Sequence, residues 1–330
     1  MRRQRKIRVA GAGPARPPPV CRTRRFALGG QANCTHTRRV FSRHFITVWH
    51  HLRYVPLLSA LTFSRWRGFD GRARALGNLV GGVARWFPPA RLRIDREVRR
   101  VFPDMPPAER MDLCRRIGRN MGQTLFEIYH CAEFQTLEDR FTTSGPGLAA
   151  LEEARAQGKG AIIVSGHFGQ WEAIRAVLKA RGMETGAVYR PQSNRHYQRR
   201  LLAGIEAGGK PILPTGRHGT KALVSHLRSG GFIAILLDEK SRDGIWMPFL
   251  GHEALTSVAA ARLALKYDLP MVPAFGTRVG KTSHFTVEFE APIAHSDSLT
   301  MTQEFNDLLS TRILENPDQW YWMLRRWQGG

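Results

Sequence analysis

Cysteine is scarce in this 330-residue chain, and Cys21, Cys34, Cys114 and Cys131 form no C-x-x-C pair and no zinc-type spacing. That excludes a disulfide scaffold and a cysteine-held metal, and it fits unpaired thiols in a reducing compartment. Long apolar runs are missing too. No stretch free of Asp, Glu, Lys and Arg exceeds twelve residues, whereas a bilayer-spanning helix needs about 20 apolar residues. With a mean hydropathy of −0.32, a polytopic membrane protein is excluded. Acidic residues are few, 27 Asp+Glu against 50 Lys+Arg, which leaves a net charge of +23. Such a balance calls for a polyanionic neighbour: nucleic acid, an anionic membrane surface, a phosphorylated lipid or an acidic carrier protein. The chain also has no G-x-S-x-G elbow, no G-x-x-x-x-G-K-[ST] phosphate loop, no G-x-G-x-x-G fingerprint and no H-E-x-x-H. The commonest serine-hydrolase, nucleotide-binding and zinc-protease sites are therefore not indicated.

What is present divides along the chain. Residues 1–40 hold eleven basic residues, no acidic one and a Pro17-Pro18-Pro19 run. This composition predicts a disordered basic extension, with or without a place in the mature protein. Removing its eleven charges from +23 leaves +12, so the remainder is still basic. Residues 41–143 read as an N-terminal helical, membrane-associating segment. Phe45, Val48, Trp49, Leu52 and Val55 recur at helical spacing between Phe45 and Phe63, giving an amphipathic helix that suits either a membrane interface or the protein's own core. A basic helix follows at Arg91–Arg100, then a Pro103–Pro107 break. Ala108–Glu133 reads as a further helix, with Met111, Cys114, Ile117, Met121, Leu125 and Ile128 on one side.

From residue 144 to 330 the texture becomes that of an α/β catalytic domain with a mixed central sheet flanked by helices. Strands are expected at Ala161–Val164, Gly186–Tyr189, Gly231–Asp238, Met271–Phe275 and Phe285–Phe289. Helices are expected at Trp171–Lys179, Tyr197–Ala207, Thr220–Leu227 and Thr256–Tyr267. Ligands of such sheets bind beyond the carboxyl ends of the strands.

One of those ends carries Ser165-Gly166-His167-Phe168-Gly169-Gln170-Trp171-Glu172. A histidine at a strand end, with a carboxylate five residues on in the first helical turn, can form an imidazole–carboxylate pair suited to base catalysis. Glycines on both sides of His167 allow close backbone approach. No nucleophile is apparent, so direct transfer from an activated donor such as a thioester to a hydroxyl fits better than a covalent enzyme intermediate. The plainer alternative is a histidine that only caps the turn.

The block His167-Phe168-Gly169-Gln170-Trp171-Glu172 resembles the H-x-x-x-x-[DE] signature of the glycerolipid and lysophospholipid acyltransferase group, in the form found in the lipid A biosynthesis (lauroyl/myristoyl) acyltransferase family. Val188-Tyr189-Arg190-Pro191 resembles that family's V-Y-R-P block. Leu237-Asp238 with Arg242–Gly251 resembles its D-Q…D-G-x-F-V-P-F-F-G block, and Gln319–Trp322 with Arg325-Arg326-Trp327 resembles its ending. The likeness spans roughly residues 75–327.

The resemblance implies a glycerolipid-acyltransferase-like fold and a membrane-associated O-acyltransferase at the cytoplasmic face of a bacterial inner membrane. It would move a fatty acyl chain from acyl carrier protein or acyl-CoA to a hydroxyl of a lipid A precursor. It further implies His167 as general base with Glu172 as its partner, Arg190 and Asp238 as substrate-binding residues, and no metal or cofactor. Acylation of a lysophospholipid or other polar lipid is the alternative. A non-catalytic basic protein that binds nucleic acid or membrane is the remoter one, and no zinc-finger, RNP or basic-zipper pattern supports nucleic acid as a partner. Two departures stand out. Glu239 occupies the place of the family's Gln, and Ile205-Glu206 falls where an Arg is common. Arg195, Arg199 and Arg200 are open to two readings, phosphate contact or a solvated helix face. Trp320, Trp322 and Trp327 are open to core packing or a membrane-interface anchor.

Overall fold

The computed structural model describes Ser59 and residues 66–327. The basic extension over 1–40 and, Ser59 apart, the expected helix over 45–63 lie outside the described residues. Three helices come first: α1 (Phe69–Trp86), α2 (Pro88–Val101) and α3 (Pro107–Tyr129), followed by a single turn, α4 (Cys131–Phe134). Paired prolines start α2, and a proline with Glu109 behind it starts α3. Both placements suit an N-terminus, where an N–H is unsatisfied anyway and the dipole favours an acid. Helices α1 and α3 approach through glycine: a Cβ on Gly118 would lie 2.5 Å from that of Ala84, and one on Gly122 would lie 2.8 Å from the Cα of Gly77. Any larger residue there would push the two helices apart.

The α/β part runs β1 (Phe141–Ser144), α5 (Gly147–Ala156), β2 (Ala161–Ser165), α6 (Trp171–Ala180), β3 (Thr185–Tyr189), α7 (Arg195–Gly208), β4 (Ile212–Pro214), α8 (Arg217–Arg228), β5 (Phe232–Leu236), β6 (Ile245–Phe249), β7 (His252–Thr256), α9 (Ala259–Tyr267), β8 (Met271–Arg278), β9 (Phe285–Phe289) and α10 (Ser298–Glu315). Seven strands form one sheet in the order β1-β9-β8-β2-β5-β3-β4. All neighbours are parallel except β8 and β9. The sheet is thus mixed and mostly parallel, as expected. Strands β6 and β7 form a separate hairpin, so Thr256 ends a strand and the helix expected from Thr256 begins at Ala259.

Apolar side chains on the two sheet faces feed two core clusters. Ile162 and Val164 of β2, with Met271 and Phe275 of β8, enter one; Ala161 and Ile163, with Val272 and Ala274, enter the other. A strand buried on both faces must be apolar at every position, which is why Ala161–Val164 is an unbroken run. Helix α3 supplies Leu113, Cys114 and Ile117 to the first cluster and Phe126 to the second, so it ties both together. Cys114 and Cys131 are free and buried; burial pushes the thiols up to about 11 and about 12, so they stay protonated and inert.

The helical segment is fixed to the sheet by a buried charge. Glu127 of α3 is wholly buried and receives Arg278 of β8 at 2.6 and 2.8 Å, Ser283 at 2.8 Å and the Gln170 side chain at 2.6 Å. Removing one partner of a buried ion pair strands the other in a low-dielectric interior. Glu127→Gln should therefore destabilise the fold by about 3–5 kcal/mol in urea unfolding, with the slope against urea unchanged.

Candidate functional site

Strands β2 and β5 are parallel neighbours with Ser165 opposite Leu236. His167 and Asp238 each lie two residues beyond those positions, so the register alone sets them side by side at the carboxyl end of the sheet. The His167 Nδ1 and Asp238 Oδ1 are 2.8 Å apart, and Asp238 Oδ2 accepts the His167 backbone N–H at 2.7 Å and the indole N–H of Trp320 at 2.8 Å. Asp238 is buried, and His167 keeps 17% of its side chain exposed. Burial alone would raise the aspartate, but the facing imidazole and the three donors outweigh it and hold Asp238 below the usual carboxylate range. For His167 burial pulls downward, and the attraction and hydrogen bond of Asp238 reverse it, so the imidazole is raised above its ordinary value. An ionised carboxylate only accepts. Nδ1 therefore carries the proton, and Nε2 is the basic nitrogen.

The pairing expected of Glu172 is thus made by Asp238, and this corrects the sequence reading. Glu172 does stand in the first turn of α6, but there its side chain points into the protein. It accepts Arg175 at 2.6 Å, and both side chains are nearly fully buried. Arg175 also donates to the carbonyls of Thr185, Ile205 and Gly209, joining β3 to the end of α7. Burial raises the Glu172 carboxyl, against the pull of Arg175. Asp238 in turn faces the imidazole and not Arg190. Arg190 is largely exposed after β3, with its Nη2 at 2.6 Å from Glu239.

Backbone contacts hold the turn that presents His167. The Gly169 N–H donates to Gln319 and the Tyr321 N–H donates to His167, with Phe168 bridged antiparallel to Trp320 between them. Gly169 has φ +54°, and a Cβ there would lie 2.0 Å from the Gly276 carbonyl. Only glycine suits that position. From the other side, the Thr124 hydroxyl donates to the Gly169 carbonyl at 2.8 Å, and Gln170 caps α6 while donating to Glu127. The C-terminal tryptophans are thus core residues: Trp320, Trp322 and Trp327 are buried, and of the two arginines Arg326 is buried and Arg325 exposed. Desolvation lowers Arg326 to about 10, and its guanidinium donates to Leu255 and Thr256.

Two cavities meet at His167. The first, about 310 Å³, lies between α3 and α7 and is mainly apolar, with Met121, Leu125 and Ile128 on one wall and Tyr197 and Leu201 on the other. The second, about 200 Å³, enters between the ends of β2, β3 and β5, with Arg190 and Glu239 among its lining and the Glu172–Arg175 pair deeper in. Arg195, Arg199 and Arg200 line neither cavity. Three contributors had no clear sequence signal as site residues: Trp320, Gln170 and Glu127.

A family model described as bacterial lipid A biosynthesis acyltransferase matches residues 45–329. A lipid A biosynthesis acyltransferase of Haemophilus influenzae is 24% identical over 311 residues, covering 89% of this chain and 95% of that protein. A phosphatidylinositol mannoside acyltransferase of Mycobacterium tuberculosis is 25% identical over 186 residues, 55% of this chain and 58% of that protein. If Asp238 and not Glu172 serves the imidazole, Asp238→Asn should lower kcat by about 10²–10⁴-fold. Glu172→Gln should instead lose about 3 kcal/mol of stability while the folded fraction keeps kcat within about threefold. Stopped assays normalised to folded protein separate the two.

Proposed function

On the premise that the chain belongs to the bacterial lipid A biosynthesis acyltransferase family and is an acyltransferase, we propose that it moves a fatty acyl chain from a thioester to a lipid hydroxyl by general-base catalysis at His167. The observation that carries this reading is the His167–Asp238 pair at the junction of two cavities. Nε2 takes the hydroxyl proton as the oxygen attacks the thioester carbonyl. Asp238 stabilises the imidazolium so formed, and the tetrahedral intermediate collapses with loss of thiolate, which recovers the proton from Nε2. Donor is acyl carrier protein or acyl-CoA, and the acceptor is a lipid A precursor. Arg190 on the rim contacts the substrate. The apolar cavity between α3 and α7 suits an acyl chain, since burying each methylene contributes about 0.8 kcal/mol.

We also place the chain on the cytoplasmic face of the inner membrane as a peripheral protein, with the helical segment 41–143 toward the lipid. Among the described residues no helix is long and apolar enough to cross a membrane. Helix α1 has a second apolar stripe on its outer side. Leu79, Val83 and Trp86 fall at helical spacing and are exposed, with Trp86 at 70%, and Phe87 and Leu92 continue the exposed apolar surface into α2. Arg74, Arg85 and Arg91 belong to the same stretch, and the Arg85 guanidinium lies 5.1 Å from the Trp86 ring. Aromatic residues with adjacent arginines are the composition of an interfacial anchor on anionic lipid. Replacing Trp86 and Phe87 together by Glu should weaken binding to vesicles containing phosphatidylglycerol by at least about tenfold, with no loss of thermal stability, as read by vesicle sedimentation.

Mass spectrometry of lipids from a deletion strain tests the function. Loss of one secondary acyl chain from lipid A is expected, restored by the wild-type gene but not by His167→Ala. An unchanged lipid A with an altered phospholipid profile would move the acceptor to another polar lipid. The raised imidazole fixes the sign of the pH dependence. The neutral ring is the active form, so kcat/KM should fall as pH drops through a pKa above the usual histidine value. In Asp238→Asn that acid limb should move to lower pH.

A further inference from the structure

The side chains that line the two cavities at His167 leave no net charge. Apart from His167, the first has no charged side chain on its walls, and those of the second are Arg175, Arg190, Glu172 and Glu239. Arg175 is matched by Glu172 at 2.6 Å and Arg190 by Glu239 at 2.6 Å. Although the chain carries a net charge of +23, the cavity walls, among the described residues, thus present no uncompensated arginine to what enters beside His167. The two pairs differ in kind. Arg175 is buried and committed to three backbone carbonyls, whereas Arg190 is 62% exposed and Glu239 36% exposed at the rim. Arg190 is accordingly the cation of the lining that an incoming anion can reach, and Glu239 already occupies it. A phosphate approaching there has to displace a carboxylate or lie against it, and either arrangement opposes binding. Neutral polar side chains do reach the same space, among them Gln192, Tyr189 and Thr215 in the second cavity. Hydroxyl groups can exchange hydrogen bonds with these without any charge being left over.

Resting on the acyl-transfer reading above, we propose that Glu239 is a specificity-determining residue. By holding Arg190 it selects an acceptor whose portion nearest the reacting hydroxyl is uncharged, such as an unsubstituted sugar ring, and disfavours a phosphate at that place. Any phosphate of the acceptor then lies outside the cavities. Glu239 does not touch the reacting atoms; it acts through Arg190.

The test uses the full chain and three variants: Glu239→Gln, Arg190→Gln and the double substitution. Each is titrated with inorganic pyrophosphate, followed by tryptophan fluorescence, because Trp171 stands 5.1 Å from the His167 ring. Glu239→Gln should bind pyrophosphate about tenfold more tightly than the wild type, and the gain should vanish in the double variant. In parallel, acyl transfer from dodecanoyl-CoA is measured to an alkyl glucoside and to its 6-phosphate. Glu239→Gln should shift the ratio of kcat/KM values toward the phosphate by a similar factor, through KM. Pyrophosphate affinity equal in wild type and Glu239→Gln, or a gain that survives loss of Arg190, overturns the proposal. If neither acceptor is acylated by any of the proteins, the pyrophosphate comparison decides the role of Glu239, and the acyl-transfer reading stands or falls separately on the lipid A of the deletion strain.

Discussion

The carboxylate of Asp238 is the constraint on which the site is built. It is buried, ionised and surrounded by three donors from two parts of the chain: the imidazole and backbone N–H of His167 after β2, and the indole of Trp320 near the C-terminus. A buried carboxylate without such donors would take up a proton and lose its value to a base. Each donor therefore keeps the charge in place, and that charge fixes both the tautomer and the basicity of His167.

Around this centre, the molecule holds one short turn from two sides. The segment 319–322 pairs with it through backbone hydrogen bonds, and α3 reaches it through Thr124, which donates to the Gly169 carbonyl, and through the buried Glu127, which accepts from Gln170. Helix α3 thereby helps to hold the turn that carries His167 and also lines the apolar cavity. Packing through Gly77, Gly118 and Gly122 lets α1 lie close on α3 and leaves α1's opposite stripe exposed. A single pair of helices supports the turn on one side and offers an apolar, arginine-flanked surface on the other.

Much of this was legible in the chain. The five strands were found because those buried on both faces are continuous apolar runs bounded by glycine, and His167 stood out because it follows one of them. Its partner was misread because H-x-x-x-x-E sets two residues near in sequence, whereas side-chain direction at a helix N-terminus turned Glu172 inward to Arg175. Asp238 was visible as a strand-end residue, and only the register of β2 against β5 makes it the nearer carboxylate. Glu127 escaped for a different reason: Asn120, Gln123, Thr124 and Glu127 form a polar stripe at helical spacing that reads as solvent-facing, yet all four are buried. Burying polar groups is tolerable only when partners distant in sequence satisfy them, and periodicity does not reveal such partners. The short strands β1 and β4 and the β6–β7 hairpin lacked alternation strong enough to mark them. The aromatic ending could be read either way until its tryptophans were placed in the core.

Nitrogen-15 NMR of the imidazole in protein labelled at histidine addresses the central claim most directly. The account predicts, for the His167 ring at pH above its raised pKa, a protonated Nδ1 in a strong hydrogen bond and an unprotonated Nε2, with this signature lost in Asp238→Asn and kept in Glu172→Gln. Loss of the signature in Glu172→Gln, with Asp238→Asn unaffected, would contradict it.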